Sequence, residues 1–495
     1  MSNSSEGAGT RQPLSAADGA WWRMERPTNP MTITAVFTFA EPLTYEALAA
    51  LVTDQLLTHA RFRQRVADGG AGGVHWQDVP DLDVADHVLR VALPVGAGRE
   101  ALEGLVSRLM SERLPTDRPH WQFHLVEEYR GGSALVARVH HCIGDGISLV
   151  QLLLSMADSV DAPAGPPAPP AVERRRHPRP TPAHYEPEVT LPPPPRTAAE
   201  RMAARALERR EDDGVRSVVS PGRLVAAAKL GGGVAAVLAR LLDLRADPRT
   251  VLQGSLGRVK RAAWSEPIPL DRVRALGRAT GGTINDVLLS AVAGALRRYL
   301  ARRGDRVDGV ELRAVVPVNL RAAHDTTSLG NKFGLVFLPL PVGEADALAR
   351  VAATKRNMDA IKRSPEAVVI FGLLRAFGKT TAAVLVTAVK LLARRASAVM
   401  TNVPGPRTRI RFAGATIDGV MFWVPQSGRL GLGVSVLSYA GEVRIGIASD
   451  VRMIPDPGAI VADFHAALDE LLAAAPVPAP PPGTAPSVAP PAVPA

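Results

Sequence analysis

Two adjacent histidines, His140 and His141, followed after three residues by Asp145 and Gly146, have the clearest chemical potential in this chain. An imidazole titrates near neutral pH, so one histidine can take a proton from a hydroxyl or amine and later return it to a leaving group. The pattern predicts general-base chemistry without a covalent intermediate. Zinc binding is the weaker interpretation, because adjacent histidines point apart and no Cys-x-x-Cys or His-Glu-x-x-His spacing occurs.

The elements around the histidines predict how they are held. Residues 133–139 form a mostly apolar run typical of a buried strand, and residues 147–156 are apolar at most positions, as in a buried helix. Between them, Gly144 and Gly146 allow a tight turn. Because neighbouring side chains on a strand point to opposite faces, only one of the two histidines can face a given cavity.

The composition narrows the functional classes. A length of 495 residues predicts two domains, and a hydrophobic content of 46% is sufficient for large cores. The net charge of +10, with few aromatic residues and no nucleic-acid-binding motif, favours anionic small molecules or an anionic membrane surface over nucleic acid. The basic block at 61–65 is either a solvated face or a site for phosphates, and the solvated face is the favoured interpretation. The single cysteine, Cys142, excludes an intrachain disulfide and is typical of a reducing compartment.

Changes in composition also divide the chain. We predict a disordered N-terminus at 1–12, a first domain at 13–160, a Pro/Arg-rich linker and helix at 161–221, a second domain at 222–475 and a disordered tail at 476–495. Two apolar segments, 223–244 and 367–392, are interrupted by glycines or charges and are too short to span a bilayer. They are expected to lie in a membrane interface or to enclose a lipid as packed helices. The first residues lack a signal-peptide core, so a cytoplasmic location is expected.

The His-His-x-x-x-Asp-Gly string resembles the signature of the CoA-dependent acyltransferase superfamily, which includes chloramphenicol acetyltransferase and peptide-synthetase condensation domains. Further blocks in the same order make the chain most similar to the bacterial wax ester synthase/diacylglycerol acyltransferase family, over about residues 13–472. These blocks are Pro13-Leu14 with Asp18 and Trp22, Asn29-Pro30-Met31, Asp117-Arg118-Pro119 with Trp121, Asn285-Asp286-Val287, residues 316–321, Gly330-Asn331, residues 401–406, and Ser438-Tyr439.

The resemblance implies an α/β fold of two chloramphenicol-acetyltransferase-like domains, with the active site in a channel at their interface. His141 is then the general base, and His140 supports the strand end or lines the pocket. Asp145 is expected to be structural, turned away from the imidazole into an ion pair for which Arg321 is the candidate partner. Gly146 keeps the channel free of a side chain.

Residues of the second half are expected to complete the site. Asn285, Asp286 and Asn319 are candidates for shaping it, although a helix cap is an equally good interpretation of the first two. The tetrahedral intermediate needs an oxyanion stabiliser, and the candidates are backbone N–H groups of the glycine turn and the Asn285 side chain. No metal and no cofactor are expected, since acyl-CoA is a substrate.

The function implied by the resemblance is O-acyl transfer of a long-chain acyl group from acyl-CoA to diacylglycerol, a fatty alcohol, or both. A peripheral position at the inner face of the membrane or on lipid droplets is expected. Two alternatives stay open: the same chemistry on a carrier-bound or other natural-product hydroxyl, and a non-catalytic homologue that binds lipid droplets. A hydrolase is disfavoured, because the chain has no Gly-x-Ser-x-Gly elbow.

Overall fold

The computed structural model describes residues 12–68, 73–159, 183–184, 246–320, 329–363, 370, 393–426 and 428–475. Nearly all of the predicted disordered termini, the linker and the two apolar segments at 223–244 and 367–392 fall outside the described residues. Arg321, the predicted partner of Asp145, lies outside them as well.

The described residues form strands and helices in both halves of the chain. The strands are β1 (Gln12–Pro13), β2 (Thr32–Phe39), β3 (Gln64–Asp68), β4 (Val74–Asp78), β5 (Val88–Ala92), β6 (Trp121–Tyr129), β7 (Gly132–His140), β8 (Asp158–Ser159), β9 (Ala183–His184), β10 (Lys260–Trp264), β11 (Ile268–Pro269), β12 (Leu312–Asn319), β13 (Phe333–Leu340), β14 (Ala398–Pro404), β15 (Ile410–Phe412), β16 (Ala415–Trp423), β17 (Leu432–Tyr439) and β18 (Glu442–Asp450). The helices are α1 (Ala16–Met24), α2 (Tyr45–Asp54), α3 (Arg99–Ser111), α4 (Gly146–Ser155), α5 (Leu270–Ala279), α6 (Ile284–Arg302), α7 (Ala347–Lys362) and α8 (Pro457–Ala474).

The strand that ends at the two histidines lies in the middle of an eight-stranded sheet, in the order β8-β15-β16-β2-β7-β6-β5-β9. β7 pairs antiparallel with β2 on one side and with β6 on the other, and His140 lies opposite Thr32. Both neighbours pair with the backbone hydrogen-bonding groups of β7. The side chains of β7 are buried on both faces of the sheet.

The second sheet has seven strands, with β10-β18-β17-β14-β12-β13 in order and β11 beside β18. It is mixed, because β12 and β14 run parallel to each other while β13 returns antiparallel. Helix α6 is buried along most of its length, and it begins with a capping box: Thr283 Oγ1 accepts from the Asp286 N–H while Asp286 accepts from the Thr283 N–H.

The second half of the chain contributes two strands to the first sheet. β15 and β16 follow the second-sheet strand β14 in the chain, yet they extend the first sheet, where Ile417 pairs with Phe39 and Trp423 with Thr34. Their apolar side chains, including Phe412, belong to the core beneath β7. This crossing was not predicted from the sequence. The domain limits drawn from the composition stay a prediction. None of the helices in the described ranges is long and apolar enough to cross a membrane.

Candidate active site

The catalytic motif begins where β7 ends. His140 is the last residue of the strand, and the His141 N–H donates to the Met31 carbonyl oxygen at 2.7 Å. Helix α4 starts at Gly146, and the Asp145 carboxylate caps it by accepting from the Ser148 N–H at 2.9 Å. The local sequence therefore folds as strand, turn and helix, as predicted.

His141 lies in a buried environment with aromatic neighbours. It is only 4% exposed, and the Trp21 ring stacks on its imidazole with centroids 3.9 Å apart and 14° between the planes. Phe333 from the second sheet covers another edge, with its centroid 5.8 Å away. Burial lowers the pKa of His141 well below its ordinary value, against an opposing effect of the Asp145 charge. The imidazole is therefore neutral at physiological pH, the form that can accept a proton.

His140 points to the opposite side and uses both ring nitrogens. Its Nδ1 accepts from the Cys142 N–H at 3.1 Å, so its Nε2 carries a proton and donates to Glu25 Oε2 at 2.7 Å. Glu25 also accepts from Arg113 Nε at 2.6 Å. Burial raises the pKa of Glu25, but the hydrogen bonds from His140 and Arg113 and the positive charge of Arg113 outweigh it and lower the pKa to about 2. His140 is thus fixed at the strand end, in agreement with a supporting role.

Asp145 connects the motif to the second half. While Oδ1 caps α4, Oδ2 accepts from the Lys332 N–H at 3.1 Å. The neighbouring Asn331 donates its side-chain amide to the His141 carbonyl oxygen at 2.8 Å. The Gly330-Asn331 block, to which the sequence analysis assigned no role, therefore lies directly against the catalytic turn.

The expectation that Arg61 belongs to a solvated face is wrong. Its side chain is 23% exposed and pairs with the buried carboxylate of Asp18 at 3.0 Å. The same guanidinium donates to the carbonyl oxygens of Cys142 and Ile143 at 3.2 and 3.0 Å. A guanidinium satisfies several acceptors in one plane, so Arg61 braces the turn from inside the fold.

The candidates from the second half are placed differently from one another. Asp286 is buried as part of the α6 cap, as its structural interpretation required. Asn285 is exposed, and its Oδ1 accepts from Asn402 Nδ2 at 2.6 Å. Asn319, at the end of β12, lines the same cavity as His141 and Asn402.

Two cavities meet at the motif. The interface cavity lies between the two halves and is lined by His141, Asp145, Trp21, Phe333, Thr401 and Asn402, among others. The apolar cavity lies between the first sheet and α4, encloses about 980 Å³ with its mouth included, and is lined by side chains such as Phe37, Leu135, Leu153, Phe412 and Ile417. Gly146 lines both cavities. A Cβ there would meet Phe422 at 3.9 Å, an ordinary contact, so the glycine leaves the junction open without backbone strain.

Sequence reasoning missed several of these residues. Trp21 and Asp18 lie in α1, and Arg61 lies between α2 and β3. Asn331 lies in the second half of the chain, just before β13. The family blocks around Asp18 and Gly330-Asn331 were a usable signal, whereas nothing in the sequence distinguished Trp21 from the adjacent Trp22. Within the described residues, no three His, Cys, Asp or Glu side chains are grouped so that they could hold a metal ion.

Comparisons with known proteins agree with this geometry. Residues 14–288 match the wax ester synthase/diacylglycerol acyltransferase catalytic domain, and residues 329–472 match the WS/DGAT C-terminal domain. The chain is 27% identical over 443 residues to the probable diacylglycerol O-acyltransferase tgs1 of Mycobacterium tuberculosis H37Rv, covering 86% of this chain and 88% of that protein. It is 29% identical over 413 residues to tgs2 of the same strain, covering 81% and 84%.

Solved structures share the fold. The wax ester synthase/diacylglycerol acyltransferase from Marinobacter aquaeolei VT8 superposes with a TM-score of 0.64 at 23% identity, covering 94% of this chain and 99% of that one. The first condensation domain of the calcium-dependent antibiotic synthetase gives a TM-score of 0.57 at 17% identity, covering 94% and 97%. The predicted two-domain α/β fold is confirmed, with mixed, open sheets.

The fold and the histidine motif together define a CoA-dependent acyltransferase. With both of its domain models matched, the chain belongs to the wax ester synthase/diacylglycerol acyltransferase family, and it is an acyl-CoA-dependent O-acyltransferase.

Proposed function

We propose that this enzyme transfers a long-chain acyl group from acyl-CoA to the hydroxyl of diacylglycerol, with fatty alcohols as a second class of acceptor. One observation carries the proposal: the neutral imidazole of His141 lines a cavity between the halves that meets a large apolar cavity at Gly146. Several curated relatives are named diacylglycerol O-acyltransferases, which favours diacylglycerol as the first acceptor to test.

The apolar cavity suits a long hydrocarbon chain. Its lining comes from alternate residues of β2 and β7, such as Phe37 and Leu135, and from the inner face of α4. Gly146 lines both this cavity and the one that contains His141, so a chain that passes Gly146 brings its carbonyl end to the imidazole.

His141 is the proposed general base. Its imidazole removes the proton of the acceptor hydroxyl as the oxygen attacks the thioester carbonyl carbon. A C–O bond forms, the C–S bond breaks from the tetrahedral intermediate, and the CoA sulfur leaves as a thiolate or takes the proton from the imidazolium. Acyl-CoA supplies the acyl group, so the proposed reaction involves no cofactor.

The remaining motif residues have supporting roles in this proposal. Asp145 holds the start of α4 and the Lys332 backbone, which keeps the turn beneath His141 rigid. His140 anchors the strand end through Glu25. Asn319 shapes the interface cavity, and Asn285 acts on it through Asn402. Backbone N–H groups of the glycine turn and Asn285 stay candidates for the oxyanion stabiliser.

We also propose that the enzyme works at the inner face of the membrane or on lipid droplets. A diacylglycerol acceptor is itself lipid-bound, and the net charge of +10 favours an anionic surface. Flotation with vesicles that contain or lack anionic lipid tests this point. Loss of binding when the anionic lipid is omitted is the expected result.

The acceptor is tested by thiol release from palmitoyl-CoA by the purified protein, with diacylglycerol and hexadecanol in parallel and His141→Ala as the control. We expect acceptor-dependent release with diacylglycerol that the variant lacks. Release only with hexadecanol makes the enzyme a wax ester synthase. No release with either acceptor, from a folded protein, contradicts the proposal and points to a carrier-bound hydroxyl or a non-catalytic role.

A further inference from the structure

Three consecutive carbonyl oxygens in the catalytic turn are held by side chains from elsewhere in the fold. The His141 oxygen accepts from Asn331 Nδ2 at 2.8 Å, and those of Cys142 and Ile143 accept from Arg61 at 3.2 and 3.0 Å. One buried carboxylate, Asp18, joins the two donors, because its Oδ1 accepts from Asn331 and its Oδ2 from Arg61. The backbone that carries the imidazole is therefore fixed by a single polar network.

The network also fixes which way the Asn331 amide points. Its NH₂ group has two acceptors, Asp18 Oδ1 and the His141 carbonyl oxygen, both at 2.8 Å. A flipped amide would place its oxygen against these two oxygens, which is unfavourable. The Asn331 backbone N–H adds a third contact to Asp18 at 3.2 Å. The amide oxygen, Oδ1, is consequently directed away from the network.

Two buried polar atoms are left over at this point. Neither Asn331 Oδ1 nor His141 Nδ1 has a hydrogen-bond partner of regular geometry among the residues that the structure describes. Both residues are more than nine-tenths buried, so each unpaired atom is costly. Burial lowers the pKa of His141, whereas the Asp145 charge, the backbone of His141 itself and the nearby Asn331 side chain act in the opposite direction. Asn331 therefore lies close enough to the ring to accept a hydrogen bond from it.

We propose that Asn331 is a positioning residue, whose amide oxygen accepts the Nδ1–H of His141 while its NH₂ group is fixed by Asp18 and the His141 carbonyl. The proton is then held on Nδ1, and the lone pair of Nε2 is directed to the substrate. A neutral imidazole can act as a base only through the nitrogen that lacks the proton, so this tautomer decides which face of the ring does chemistry.

The arrangement also makes the base dependent on both halves. Asp18 lies in α1, whereas Asn331 precedes β13 of the second sheet. The catalytic tautomer is thus set only when the second half is docked against the motif. This inference rests on the proposed role of His141 as general base, but its first test does not depend on activity.

The first test is the tautomer of His141 in the intact, uniformly ¹⁵N-histidine-labelled protein. Long-range ¹H–¹⁵N correlation spectra distinguish a proton on Nδ1 from one on Nε2, and the signal that is missing in His141→Gln identifies the residue. We expect the Nδ1–H form in the wild-type chain. A wild-type His141 in the Nε2–H form overturns the proposal, whatever the enzyme acts on.

The second test compares Asn331→Ala with Asn357→Ala. The control removes an amide that donates to the Pro339 carbonyl oxygen at 2.9 Å, a bond of similar length in the second half. For Asn331→Ala we expect kcat to fall by roughly 10- to 100-fold with KM for palmitoyl-CoA little changed, a part of the roughly 10²–10⁴-fold that general-base catalysis provides. We also expect mixed tautomers of His141. Equal kcat values for the two variants overturn the proposal.

Discussion

The two sides of the β7 strand end differ in almost every physical respect. On one side, His140 donates to Glu25, which also accepts from Arg113, and both ring nitrogens of His140 are in use. On the other side, His141 is stacked on Trp21, has the tilted Phe333 ring nearby and faces a cavity. Neighbours in sequence have thus become an anchor and a base.

The contrast shows what selects a catalytic histidine. A ring whose nitrogens are both paired cannot accept a substrate proton without losing a structural bond. A ring among aromatic groups pays a desolvation cost for its charge and stays neutral, ready to act as a base. The position of a histidine in the motif does not by itself show whether it anchors the strand end or acts as the base.

The largest expected effect comes from removing the imidazole of His141. His141→Ala should lower kcat/KM for palmitoyl-CoA and diacylglycerol by roughly 10²- to 10⁴-fold, the usual contribution of general acid–base catalysis. Thiol release measures the rate, and a melting curve establishes that the variant is folded. A folded variant with wild-type rates would show that the base lies elsewhere.

A second change fills the junction between the two cavities. Gly146→Val should lower kcat/KM for palmitoyl-CoA by roughly ten-fold or more, with a smaller effect on butyryl-CoA, because added methyl groups oppose only a chain that must pass them. Gly458→Val is the matched control, since Gly458 lies in the first turn of α8 with open space around it. Equal losses with both acyl donors would contradict a route past Gly146.

On the His140 side the expected effect is on stability. Glu25→Ala leaves the His140 N–H and Arg113 without their acceptor and should lower the free energy of unfolding by about 1–3 kcal/mol. Urea denaturation at pH 7 measures it. Glu112→Ala is the control, because its ion pair with Arg108 is more exposed and should contribute less than about 1 kcal/mol. If Glu25→Ala lowers the free energy of unfolding no more than the control does, Glu25 does not anchor His140.

The smallest effect concerns pH. The pKa of His141 is lowered by burial, so the base stays neutral, and active, below the ordinary imidazole value of about 6.5. The rate constant for acyl transfer should therefore be flat from pH 6.5 to about 8 and should fall only at lower pH. Single-turnover measurements across this range test it. An acidic limb centred at or above 6.5 would mean that His141 is not desolvated in the working enzyme.

Local elements were predictable because their signals are local. The apolar run at 133–139 became β7, the run at 147–156 became α4, and Asp286 lies in the cap of α6. The exchange of β15 and β16 into the first sheet was not predictable in this way. Ile417 pairs with Phe39 across most of the chain, and a strand carries no mark of which distant edge it will join.

The same limit applies to the site. The sequence by itself determined the chemistry available: an imidazole at a strand end, a glycine turn, and a helix, since these depend on residue types a few positions apart. Only the tertiary structure decided that His141 is neutral, that Arg61 braces the turn, and that Asn331 contacts the base from the second half. Desolvation and hydrogen-bond partners depend on which remote segments surround a group, and that is settled when the two sheets dock.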